Sequence, residues 1–181
     1  LVSAGVAAAQ AHPTAARLGD LQVGAGFAFG QSTDTQAIPS IRLSLSGPFA
    51  YAVFDVREHF GAEAEVRQVT DADGSHISER TYGLGGRYVR HYWNSFLNPY
   101  LKVMAGRGIY NYPHDVAKLA YNVYTGGAGV DLRVKSFANV RVDYEYQTWL
   151  SFPRGDLHPG ALSIGIAYHL PVDCRDRPCA K

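Results

Sequence analysis

Residues 140–147 read Val-Arg-Val-Asp-Tyr-Glu-Tyr-Gln, apolar and polar side chains in strict alternation. Successive side chains of a strand point to opposite faces, so an extended segment of this kind has one apolar face and one ionic face. The same period recurs through most of the chain. It predicts strands at about 19–31, 40–56, 60–70, 77–92, 99–110, 120–134, 136–150 and 160–170. In the first, Leu21, Val23, Ala25, Phe27 and Phe29 oppose Gln22, Gly24, Gly26, Ala28 and Gly30. In the second, Leu45, Phe49, Tyr51 and Val53 share a phase with Ile41 and Leu43 and read as part of the apolar face. Pro48 donates no ladder hydrogen bond, so a bulge or bend is expected near Gly47-Pro48.

Eight such strands with no helical segment between them predict an all-β, antiparallel up-and-down sheet, and closing it into a barrel removes its edges. Each strand also has the ~9–11 residues that a tilted strand needs to cross a bilayer. The connections alternate. Those at 32–39, 71–76, 113–118 and 152–159 are long and polar, whereas those at 57–59, 94–98 and 135 are tight. Long connections at one end and short turns at the other suit a membrane barrel.

Alternation alone leaves two orientations open: charges outside, as on a soluble sheet, or charges enclosed, with the apolar face on lipid. The charged face collects Glu63, Glu65, Asp131, Asp143 and Glu145 against Arg67, Arg87, Lys102 and Arg141, near the balance that an enclosed network requires. Glycines such as Gly24, Gly26, Gly83, Gly85, Gly127 and Gly165 share that face. An eight-stranded barrel is only just wide enough for side chains to fill, so glycines there make room for arginine and glutamate. The pattern therefore predicts an ionic interior. Tyr88, Tyr92 and Trp93 near one end, with Tyr110, Tyr112, Tyr146 and Trp149 near the other, are expected to form two aromatic girdles.

Composition sharpens this picture. Seventeen basic and 16 acidic residues give a net charge of +1, which offers no electrostatic footprint for nucleic acid. No uncharged apolar stretch reaches the ~18 residues of a membrane-spanning helix. Residues 1–11 read as the apolar end of a secretory signal closing on Ala9-Gln10-Ala11, with 12–18 as a leader, 19–170 as the barrel and 171–181 as a tail. Cys174 and Cys179, spaced to close a small loop, are a candidate disulfide under oxidising conditions.

Ser163-x-Gly165-x-x-Tyr168-x-Leu170 resembles the C-terminal strand signal by which outer-membrane barrels are recognised for insertion. With the phased strands, the chain resembles the OmpA/OmpX-like family of small outer-membrane β-barrels, including opacity-type surface antigens. That resemblance implies a bacterial outer-membrane location with periplasmic termini, and outer-membrane lipid, lipopolysaccharide, the barrel insertion machinery and an extracellular partner as contacts. It also implies a non-enzymatic role in adhesion, surface contact or envelope integrity. Many members end at the signal strand, whereas here residues 171–181 follow.

Two other functions are weighed beside it. Some barrels of this size deacylate lipid A with a histidine and a serine two apart, a spacing present at His76-Ile-Ser78-Glu79 and lost at His91-Tyr-Trp93; the surrounding enzyme pattern is absent, and no catalytic residue is assigned. A lipocalin-like soluble barrel with an apolar ligand would reverse the faces. No metal or cofactor is expected: Asp71-Ala-Asp73-Gly74 lacks the later ligands of a calcium loop, Gly24-x-Gly26 precedes no helix, and His169 alone stands near the two cysteines.

Overall fold

A computed structural model describes residues 20–34, 41–71, 77–111, 118–151 and 157–170. The signal segment, the leader, the tail with Cys174 and Cys179, His76, Tyr112 and most of the four longer connections lie outside the described residues.

Eight strands form one closed barrel in which every strand pairs with its sequence neighbours and β1 pairs with β8. They are β1 (Asp20–Asp34), β2 (Ile41–Arg57), β3 (Phe60–Asp71), β4 (Ser78–Val89), β5 (Leu97–Asn111), β6 (Lys118–Lys135), β7 (Ala138–Leu150) and β8 (Gly160–Leu170). All pairings are antiparallel. Closure satisfies the backbone of every strand within the sheet, as a structure in hydrocarbon requires. The tight turns fall at 58–59, 90–96 and 136–137, at the end where β1 begins and β8 finishes.

Pro48 does not produce the expected bulge. It leaves a gap in the β2–β3 ladder, between Ser46↔Thr70 and Phe49↔Arg67, yet the register is the same on both sides. With its side chain outward and the neighbouring strands holding β2 in line, the missing donor alters pairing and not register. The irregularity falls instead at Asp55/Arg57, beside the 58–59 turn, where the strand must reverse. The 90–96 turn carries Trp93, Asn94 and Ser95 at φ of 51, 54 and 61°. This unusual left-handed run is held by the Tyr92 N–H donating to Leu97 O at 2.9 Å and the Asn98 side-chain amide donating to Ser95 O at 2.9 Å.

The two faces separate cleanly. Leu84, Leu101, Val103, Tyr144 and Ile166 are all more than half exposed on the outside, while the charged phase points in. That arrangement is the reverse of a lipocalin-like barrel, whose interior would be apolar. β2 departs from the sequence reading: Leu45, Phe49, Tyr51 and Val53 point inward and are buried, whereas Ala50, Phe54 and Val56 point out.

Candidate functional site

The inward faces of β3 to β7 bring together all nine charges singled out in the sequence. Glu63, Glu65, Arg67, Arg87, Lys102, Asp131, Arg141, Asp143 and Glu145 lie within one interior, none more than 8% exposed. Two groups share Glu63. In the first, Arg141 donates from Nε to Asp131 Oδ1 at 2.8 Å, from Nη2 to Oδ2 at 3.3 Å and from Nη1 to Glu63 Oε1 at 3.1 Å. Arg87 Nη2 donates to the same Asp131 at 2.9 Å. In the second, Lys102 Nζ donates to Glu63 at 3.2 Å and Glu65 at 3.0 Å and pairs with Asp143 and Glu145. Arg67 bridges Glu65 and Glu145, both at 2.6 Å. A guanidinium fork suits this task because its donors are fixed in a plane that matches carboxylate geometry.

Aromatic rings complete the first group. The Arg141 guanidinium lies 3.8 Å from the Tyr51 ring centroid and 4.8 Å from that of Tyr100, and Arg87 lies 4.6 Å from Tyr100. Desolvated cation–π contacts of this kind are worth on the order of 2 kcal/mol. The rings fit because glycine stands opposite: a Cβ at Gly24 would overlap the Tyr51 ring, and one at Gly129 would meet Tyr100. Sequence reading missed both tyrosines. Tyr100 shares the phase of Lys102, and Tyr51 shares that of Asp55, so the signal was present in the period.

Each end of the barrel is closed differently. At the end with long connections Trp149, fully buried, packs with Tyr110, Tyr121, Val123 and Leu157 and donates from its indole to Gln147 at 3.0 Å. Trp149 and Tyr110 are thus interior plugs and not girdle residues. At the other end Asp20 of β1 and His169 of β8 pair at 2.7 Å, and Gln22 donates to Asp55 at 3.1 Å. Voids between these side chains are small: about 20 Å³ beside Arg67 and Glu79, and about 10 Å³ beside Glu65 and Glu145. Space of that order holds about one water. Glu65, Asp143 and Glu145 stand close enough to share a cation, and the Lys102 ammonium already fills that place.

Ser78, the serine of the His-x-Ser spacing, accepts a hydrogen bond from the Asn111 amide at 2.9 Å, and the histidine lies outside the described residues. The His91 ring is held by Asn98 and by the Glu58 carbonyl oxygen, each at 2.8 Å, tying two tight turns together. Of the C-terminal strand motif, Ser163 and Gly165 face inward, while Tyr168 and Leu170 face out.

A closed barrel with an apolar exterior and an ionic interior whose central charges pair with one another is the geometry of a protein that crosses a membrane by strands. Residues 1–169 match the family described as the outer membrane protein beta-barrel domain. The chain belongs to that family. Among curated proteins, none matches this outer-membrane barrel. Solved structures with the same fold include Neisserial surface protein A, at 13% identity and a TM-score of 0.67 over 82% of this chain and 96% of that one. OprG from Pseudomonas aeruginosa follows at 14% identity and 0.61, over 88% and 99%. Ail, the attachment invasion locus protein of Yersinia pestis, stands at 14% identity and 0.60, over 85% and 100%.

On this outer-membrane barrel two aromatic belts flank the apolar band. Near the tight turns Phe60, Tyr88, Tyr92, Trp93, Phe137 and Tyr168 form one, with Phe60 and Tyr88 at 5.2 Å and Phe137 and Tyr168 at 5.8 Å between ring centroids. Toward the long connections the exposed rings are Phe29, Tyr82, Tyr124 and Tyr146. Of the girdle residues read from sequence, Tyr88, Tyr92, Trp93 and Tyr146 take that place.

Proposed function

We propose that this protein is a non-enzymatic, non-conducting barrel of the bacterial outer membrane whose four longer connections face the exterior and make surface contacts, with both termini in the periplasm. The observation that carries the reading is the filled interior. Among the described residues, charges bonded to one another across β3 to β7, over voids of about 10–20 Å³, fill the space that an ion or solute would need. Function then falls to the connections, since loops on a rigid scaffold carry recognition. Support for an adhesive role comes from likeness in fold to Ail, an attachment and invasion protein that has been crystallised with a heparin analogue, sucrose octasulfate. Ser163, Gly165, Tyr168 and Leu170 serve as the insertion signal, with Tyr168 and Leu170 on the lipid face where the insertion machinery reaches them.

Two measurements test this. In planar bilayers the refolded chain is expected to add no conductance above the lipid background, and stepwise channels would overturn the sealed interior. In whole cells, a cysteine placed at residue 115 is expected to react with an impermeant maleimide while one at residue 136 stays silent; the opposite pattern would invert the topology. An enzymatic role would require lipid A acyl content to change on expression and that change to vanish with His76→Ala.

A further inference from the structure

The outer surface of a membrane barrel should be apolar, yet two arginines stand on it side by side. Arg80 on β4 and Arg107 on β5 both point outward and are exposed. Register fixes their relation: Tyr82 pairs with Arg107 and Arg80 pairs with Ile109, so the two arginines are diagonal neighbours on one face, about 7–8 Å apart at their Cα atoms. Each is backed by a neutral amide from the next strand. Arg80 donates from Nε at 3.1 Å and from Nη2 at 2.6 Å to Gln68 Oε1 on β3, and Arg107 donates from Nη1 at 2.8 Å to Asn122 Oδ1 on β6. Those bonds orient the guanidinium groups without cancelling their charge.

Their height on the barrel is equally specific. One inward-outward period below them, on the same faces, are Val66, Tyr82, Ala105 and Tyr124, where the exposed aromatic belt begins, and Leu84 follows below Tyr82. The arginines therefore stand at the upper margin of the apolar band, where hydrocarbon gives way to head groups. A cation there is stabilised by anionic oxygen within reach of its fork, and a phosphorylated head group offers such oxygen to each of the two forks.

We infer that Arg80 and Arg107, held by Gln68 and Asn122, form a binding site on the lipid-facing wall for the phosphorylated head group of a glycolipid. The acyl chains of that lipid run down the wall past Tyr82 and Leu84. The site rests on the reading above for its leaflet, because it lies at the end assigned to the exterior.

The test uses the full refolded chain in neutral detergent micelles, with bound lipid counted by native mass spectrometry during titration with bisphosphorylated lipid A. Loss of two charge-assisted contacts is expected to weaken binding about tenfold or more in R80Q/R107Q, and R107Q alone is expected to fall between it and wild type. Removing both phosphates from the lipid should weaken binding to wild type equally. R90Q, which removes an exposed arginine at the opposite rim, should bind as wild type, and millimolar inorganic phosphate should not displace the lipid. Equal binding by R80Q/R107Q, equal binding of the dephosphorylated lipid, or an equal loss in R90Q would each overturn the site; displacement by inorganic phosphate would overturn its assignment to a lipid. A micelle has no leaflets, so failure here leaves the topology untouched, and the maleimide experiment decides that separately.

Discussion

Arg141 is the side chain on which most of the interior depends. It has no exposed surface, lies over one tyrosine ring near a second, and spends its donors on Asp131 and Glu63. Removing one partner of a buried pair leaves the others charged and unpaired, which costs about 3–5 kcal/mol, far more than the net worth of the pair itself. Arg141→Ala is therefore expected to lower stability by about that amount, read from the urea midpoint of the refolded barrel by the fluorescence of buried Trp149. Arg141→Lys keeps the charge but gives up the planar fork and the stacking on Tyr51, and is expected to fall between Ala and wild type. If Ala and Lys cost the same, the fork geometry carries none of the stability.

At the scale of elements, strand identity and number were legible because a period of 2 persists for ten or more residues in each segment. β8 falls at the predicted bounds, Gly160–Leu170, and the other strands within a few residues of theirs. β2 resisted because both of its phases are apolar: Phe54 and Val56 compete with Phe49, Tyr51 and Val53, so hydrophobicity does not select a face. Its one acidic residue on a definite phase, Asp55, marks the inward side, as the charges do in β3 and β7. Trp149 was misplaced for a related reason. An aromatic residue near a strand end suits a lipid interface or a barrel plug, and only its shared phase with Glu145 and Gln147 separates them. For the outward phase, a charge near the middle of the band is expected to cost about 2–4 kcal/mol. Leu84→Arg should thus fold far less efficiently into bilayers of neutral lipid, while Leu84→Val should be close to neutral; equal folding yields for Arg and Val would show that this face does not meet lipid.

For the whole molecule, closure makes the sheet a single cooperative unit, with no free edge from which to fray. The folded barrel is therefore expected to resist detergent at room temperature and to migrate differently on gel electrophoresis before and after boiling. A mobility independent of heating would contradict a closed barrel. Inside, the charges are divided unevenly around the circumference. The nine of the central network come from the five consecutive strands β3 to β7, whereas β8, β1 and β2 line the opposite wall with Gly165, Ala167, Gly24, Gly26, Ala28, Phe49 and Tyr51, and place Asp20 and Asp55 only near the end with tight turns.

That division bears on the order of assembly. Several ionic partners, such as Arg67 with Glu145 and Arg141 with Glu63, reach across the lumen between β3 and β7, and none of the nine belongs to the final join between the first and last strands. That join brings together small residues, aromatic faces and a single pair, Asp20 with His169. Joining the two ends then demands fit more than charge matching. A Cβ at Gly165 would press on the Ala25 carbonyl and the Phe49 ring, so Gly165→Val is expected to delay the appearance of the heat-modifiable form during refolding. Arg141→Ala should instead leave that time course nearly unchanged while weakening the finished product. The seam is where this cylinder is made kinetically, and the ribbon opposite is where it is kept.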